Sequence, residues 1–391
     1  MKTISNISPL LLVLAILSCQ SDDIPVQHPD GYDIITFSVK AEVPKTRTND
    51  YISYDASIHP STMGVFGYTD LQQNATLTET GAISSEESNP SKTIFNNQQI
   101  SYSSSQWEYT PKVQWKTYES ANYFDFFGYM PQTTSATLTK SGSSVTLAVP
   151  FNPSNFTAGG TPPTSTNDAF ITVTKNAPIL CALPDHKGAT TSGASFERVV
   201  GFKFDQTLTG YEFLFQLDGN MNKIRHFKIN SVSLLGKIPL AGTVTRTYTW
   251  NSTSWTEGAV TWKDIIYGDY TSSSPLTISN TSGAVTLNSS NNTTAAEDGY
   301  YQWGSILYMI PDVTFTPEIS VNYDVVFTNE SGTEVTTRQN ITSSVLLNKV
   351  NFNNLVNGKP GVINPIRILI QPRYLYVIAD EDAYTGRLLI E

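Results

Sequence analysis

The sequence predicts an all-β protein built from tandem antiparallel sandwiches. The chief observation is a succession of short alternating runs rich in β-branched and aromatic residues. Gly, Pro, Asn and Ser punctuate them, and hardly any stretch has helical periodicity. Charged residues make up only 15% of the 391-residue chain, whose formal net charge is −10. That charge argues against nucleic acid and against a polybasic membrane surface. The length favours two or three domains.

The first element is not a strand. Residues 1–18 carry Lys2 and an apolar run from Leu10 to Leu17, about as long as a signal-peptide core and too short to span a bilayer. The run ends at Ile16-Leu17-Ser18-Cys19, which resembles the bacterial lipobox. Cys19 is therefore the expected lipidation site, holding a precursor at the outer membrane. Residues 19–32 form an acidic linker whose Asp22-Asp23 resembles surface-export signals, although such linkers are often acidic anyway. With Cys19 lipidated, Cys181 is left alone and an intramolecular disulfide is excluded.

Residues 33–47 hold the first strand. Ile35, Phe37, Val39, Ala41 and Val43 alternate with Thr36, Ser38, Lys40 and Glu42. Lys45-Thr46-Arg47 follows directly. Further runs stand at Met63 to Tyr68, Tyr123 to Tyr129, Ser144 to Val149, Ala169 to Val173, Val199 to Phe204 and Tyr211 to Leu217. Others lie at His226 to Leu234, Ile306 to Ile310 and Ile319 to Phe327. Polar low-complexity stretches at 70–100 and 270–298 are expected to be surface loops. The polar, Gly-bearing segment 184–193 is the expected boundary between an N-terminal domain, 48–188, and a C-terminal domain, 189–391.

Catalytic patterns are lacking. His28, His59, His186 and His226 show no metal-ligand spacing, and no nucleophile elbow, zinc-protease motif or phosphate loop occurs. No enzyme activity or cofactor is expected. His226 is expected to be structural and Cys181 a core thiol. Trp107, Trp115, Trp250, Trp255, Trp262 and Trp303 are expected to pack in the core; the rival expectation is a sugar-stacking surface.

Several segments together resemble the fimbrillin-family lipoproteins, the subunits of type V pili. Asp33-Ile34-Ile35-Thr36-Phe37-Ser38-Val39 followed by Thr46-Arg47 is similar to the family's start. Trp115 followed by Tyr123 to Pro131 looks like its tryptophan and aromatic strand. Asp168-Ala169-Phe170, Val200 to Asp205, Ile229 to Gly236 and Leu307 to Pro311 resemble its later patterns. Asp205 stands where the family often has His. The resemblance implies two transthyretin-like sandwiches, lipoprotein export and cutting by an Arg-specific protease, which here matches the Arg47-Thr48 bond.

Edge-strand physics makes such a cut intelligible. Freeing residues 35–43 uncovers about 1.5–3 kcal/mol of burial for each apolar side chain that had been buried, and leaves unpaired backbone. Another subunit's strand can fill that groove, and a head-to-tail contact that does not close builds a filament. The donor is expected within 363–391, from Ile366, Ile368 and Ile370 or from Leu388, Leu389 and Ile390. Pro365 and Pro372 bracket the first of these runs, which is therefore expected to be an edge or mobile strand in preference to a central one. The chain thus reads as a fimbrial subunit, stalk in preference to tip or anchor. A surface glycan-binding lipoprotein is the alternative.

Overall fold

The structure, a computed structural model, describes residues 34–39, 60–73, 76–77, 81–83, 91–118, 120–153, 155–166, 178–188, 199–217, 225–287, 300–311, 317–329, 331, 333–346, 360–361, 363–370, 375–379 and 388–389. Cys19, Ala41, Val43, Arg47, Thr48 and Ile390 lie outside the described residues, as does the run at Ala169 to Val173.

The chain opens with β1 (Thr36–Val39), β2 (Thr62–Thr69), β3 (Lys92–Ser103) and β4 (Gln106–Glu108). A 3-10 turn at Trp115–Tyr118 precedes β5 (Tyr123–Met130), β6 (Thr137–Ser141) and β7 (Ser144–Phe151). Then come β8 (Ile179–Cys181), β9 (Asp185–Gly188), β10 (Val199–Phe202), β11 (Phe204–Asp205) and β12 (Thr209–Leu217). A long strand, β13 (Arg225–Trp250), leads to β14 (Trp255–Glu257), β15 (Thr261–Tyr270), β16 (Leu276–Ile278) and β17 (Val285–Leu287). The last are β18 (Tyr301–Met309), β19 (Glu318–Thr328), β20 (Glu334–Leu346), β21 (Ile363–Ile370), β22 (Leu375–Ala379) and β23 (Leu388–Leu389).

The first sandwich pairs the sheet β11-β8-β5-β2-β3-β4, with β9 also on β5, against β6, β7 and the second half of β13. β5 reads Tyr-Phe-Asp-Phe-Phe-Gly-Tyr-Met and is buried from Phe124 onward, because both of its faces are covered. Phe127 meets Tyr248 and Trp255 on the side of β13. Phe124 and Phe126 face the other way, against Trp115. Glycines make room for these rings. A Cβ at Gly64 would stand 2.3 Å from the Tyr129 ring, which lies opposite it in the ladder.

The second sandwich sets the sheet β18-β12-β21-β22-β23 against the first half of β13 with β19 and β20. Its core holds Phe213, Phe215, Ile229, Val232, Leu276, Ile278, Leu287, Trp303, Ile319 and Val321. Leu276-Thr-Ile278 and Val285-Thr-Leu287 come from the stretch expected to be a loop, 270–298. They are strands, each with two buried apolar residues, hidden at sequence level by flanking Ser, Thr and Asn.

β13 belongs to both sandwiches. Residues 225–235 pair with β19, 236–245 with β15 and 242–249 with β7. Its 26 residues exceed the usual strand length several-fold. The strand is relieved by Gly236 at φ 98° and by register shifts between Ile229 and Ser231 and between Pro239 and Thr243. The two cores accordingly do not divide at residue 188. Val200, Phe202, Phe204, Val244, Tyr248 and Trp255 all join the first core. A polar, Gly-bearing stretch marks a loop, and a loop within one sandwich has the same composition as a loop between two.

Candidate functional site

The site centres on β1. This strand is not a member of the antiparallel sheets. It runs parallel to β10, with Thr36 to Val39 opposite Val199 to Phe202. The pair forms a separate two-stranded layer over the outer face of the main sheet. The alternation seen in the sequence is realised here: Ile35 is 0% exposed, Phe37 7%, and Val39 packs at the margin of the same core.

Both edges of β1 are held. On the side away from β10, the Ile35 amide donates to the Val113 carbonyl at 2.9 Å, and Ile34 bridges to Gln114. The Tyr109 hydroxyl donates to the Ile35 carbonyl at 2.9 Å, while the Val113 amide donates to the Tyr109 oxygen at 3.3 Å. Burial is the largest influence on that phenol and raises its pKa to about 12, opposed by the Val113 hydrogen bond and aided by the charge of Glu108. Tyr109 therefore remains a donor across the physiological range.

The Phe37 side chain sits in a box of rings. Centroids of Phe95 and Tyr109 lie 5.7 Å away, Tyr109 edge-on, and Phe202 is stacked at 6.4 Å with its plane 12° off. Phe95 and Tyr109 also meet each other edge-on at 5.3 Å. Phe202 itself rests against Gly128, where a Cβ would approach its ring to 3.0 Å. β10 has an anchor independent of β1. The Gly201 amide donates to the Asp185 carboxylate at 2.7 Å, and Asp185 is salt-bridged to Lys187 at 3.2 Å. Tyr109, Phe95 and Phe202 were not singled out by sequence reasoning as lining this site. Positions 37, 95, 109 and 202 are brought together only by the tertiary fold.

The C-terminal strands are arranged differently. β21 lies between β12, parallel to it over 210–217 and 363–370, and β22, antiparallel from Ile366 to Ile370. It is a central strand, contrary to the edge position its prolines predict. The proline rule still holds locally, because pairing with β22 begins one residue after Pro365, where β21 has β12 alone beside it. Ile366 and Ile368 are 1% and 0% exposed in the second core. The buried Asn364 side chain donates to Thr209 Oγ1 at 2.9 Å and to the Gly210 carbonyl at 3.2 Å. Arg367 lies over the Tyr300 ring, 4.5 Å from its centroid. Ile370, Leu388 and Leu389 are placed in the ladders of β21 and β23.

The remaining candidates are structural. Cys181 is fully buried, with its thiol pushed up to about 11 chiefly by desolvation. None of the six tryptophans is exposed, and the indole N–H groups of Trp255, Trp262 and Trp303 donate to Asp125, Thr207 and Ile278. Among the described residues no group of three or more His, Cys, Asp or Glu side chains is placed to hold a metal, and no helix is long and apolar enough to cross a membrane.

No family model matches the chain, and no curated protein does. Solved structures do. The chain is similar in fold to a fimbrial protein from Bacteroides vulgatus, with a TM-score of 0.52 at 15% identity over 90% of this chain and 99% of that one. A candidate cell adhesion protein from Bacteroides uniformis aligns over 92% of this chain and 100% of its own, at a TM-score of 0.39 and 12% identity, a likeness too distant to transfer detail. The fold predicted from the sequence, all-β and sandwich-like, is the fold observed, and a Bacteroides fimbrial protein shares it.

Proposed function

We propose that this chain is a structural subunit of a surface fimbria with a role in adhesion, not an enzyme. It is exported as a lipoprotein on Cys19 and cut after Arg47 by an Arg-specific protease. It then polymerises when a C-terminal strand of another subunit, from within 363–391, takes the place of β1. One observation carries this reading. Among the described residues, β1 contributes Ile35 and Phe37 to a core that the rest of the chain builds and pairs with four residues of β10. Its loss leaves β10 standing on Asp185 and opens an apolar strip with unpaired backbone on both sides.

The test is digestion of the purified chain with an Arg-specific protease, followed by electron microscopy and gel analysis. Filaments and ladders are expected once the Arg47-Thr48 bond is cut. Monomers that persist after a verified cut overturn strand exchange and favour a monomeric surface binder.

A further inference from the structure

β3 and β4 form a hairpin at the margin of the first sheet, joined by Ser104 and Ser105. Near its tip Tyr102 stands opposite Trp107 in the ladder, with ring centroids 5.0 Å apart and ring planes at 52°. We infer that this tip is a binding site for a neutral pyranose sugar, stacked on Tyr102 beside the wall of Trp107 and hydrogen-bonded by the uncharged side chains of the turn.

Tyr102 is 38% exposed and is one of two exposed aromatic side chains among the described residues; the other is Tyr123. At Tyr123 the neighbouring ring, His186, lies 22° from parallel and covers one face. At Tyr102 the tilt leaves an open angle between the rings, and Trp107 packs against the first core, which fixes that angle. A pyranose offers a face of C–H bonds to an aromatic ring and a rim of hydroxyls to polar groups. Ser103, Ser104, Ser105 and Gln106 are all exposed beside the ring pair. No charged residue stands between Lys92 and Glu108, and Glu108 is paired with Lys112. Nothing at the tip selects an acidic or a basic ligand.

The turn points the same way. Ser104 and Ser105 have φ of 51° and 65°, left-handed values that a two-residue hairpin loop usually meets with Asn-Gly. Two serines held there are strained, and local strain of this kind collects at binding sites. Size decides against a protein partner. A stable protein interface covers about 800 Å² on each side around an apolar centre. Two rings at a hairpin tip, one of them half-buried, offer far less. A single sugar ring on such a patch should bind with a Kd of about 1 mM. Repeated along a polymer, the same site gains by multivalency; that gain alone rests on the fimbrial reading above.

The experiment is saturation-transfer NMR on the full, uncut chain, so its outcome does not depend on strand exchange. The probes are the methyl pyranosides of glucose, galactose, mannose and N-acetylglucosamine, with N-acetylneuraminic acid as the acidic comparison. Transfer to at least one neutral sugar is expected. Tyr102→Ser should weaken that binding about tenfold, while Tyr102→Phe and Tyr123→Ser should leave it unchanged. Ser104→Asn combined with Ser105→Gly should raise the thermal midpoint and weaken binding about fivefold. Equal binding by that double variant overturns the part given to the turn hydroxyls. The site itself is overturned by no transfer to any neutral sugar or by transfer to the acidic sugar alone. It is also overturned by binding that is lost in Tyr123→Ser and kept in Tyr102→Ser.

Discussion

The two ends of the chain are used in the same way and secured to different degrees. β1 lies parallel to β10, and β21 lies parallel to β12, in sandwiches whose other named ladders are antiparallel. β10 and β12 are near neighbours in sequence, so one stretch of chain receives the first strand in one sandwich and a late strand in the other. Among the described residues β1 has a four-residue ladder and two buried side chains. β21 has an eight-residue ladder to β12, a second neighbour, a buried amide on Thr209 and a cation stacked on Tyr300. Under the proposed strand exchange, the strand laid over a finished sheet is the one that would be replaced. One woven between two partners is part of what makes the sheet.

The largest effect that would break this contrast is all or none. Arg47→Ala should abolish assembly under Arg-specific protease while leaving the fold intact, read by filament counts and circular dichroism. Next, Ile368→Ala should cost about 2–5 kcal/mol of stability, measured by thermal or denaturant unfolding. Deleting residues 19–47 should leave the second sandwich's transition where it was. A shared loss would mean that both strands are equally integral. Asn364→Ala should cost about 1–3 kcal/mol by removing two buried hydrogen bonds, to Thr209 Oγ1 and to the Gly210 carbonyl. The smallest effect belongs to the latch. Tyr109→Phe should cost about 0.5–1.5 kcal/mol, visible as faster hydrogen exchange at the Ile35 amide with little change elsewhere. The same latch should show a pH dependence. The folded phenol's pKa is raised to about 12 from 10.0, so its contribution is complete below about pH 10. It falls away as pH rises toward 12. Tyr109→Phe should remove that alkaline component.

The sequence made some of this legible and hid the rest for identifiable reasons. The alternation of Ile35, Phe37 and Val39 is local, and it correctly placed the first two side chains in a core. The run from Tyr123 to Tyr129 was likewise legible as a strand, though not that both of its faces are covered. The parallel pairing of β1 was invisible, since a strand of period two has the same pattern whichever way its neighbour runs. The ring box was equally hidden, because Phe95, Tyr109 and Phe202 have no common spacing with Phe37. The prolines around β21 misled because Pro365 reports the neighbours of one residue rather than of the whole strand. The tryptophans were assigned correctly to packing, and buried polar acceptors such as Asp125 explain why their N–H groups tolerate it.

β13 carries a mechanical consequence. One continuous strand crosses from sandwich to sandwich, zipped to β19 at one end, to β7 at the other and to β15 between them. A pull along the molecule therefore loads these ladders along the strand, in shear, so that many hydrogen bonds must yield together rather than one after another. A flexible hinge would let the two halves swing and dissipate tension in the joint. Here the joint is itself a ribbon of sheet, and a thread of such units would transmit strain along its length with little slack at the waist of each.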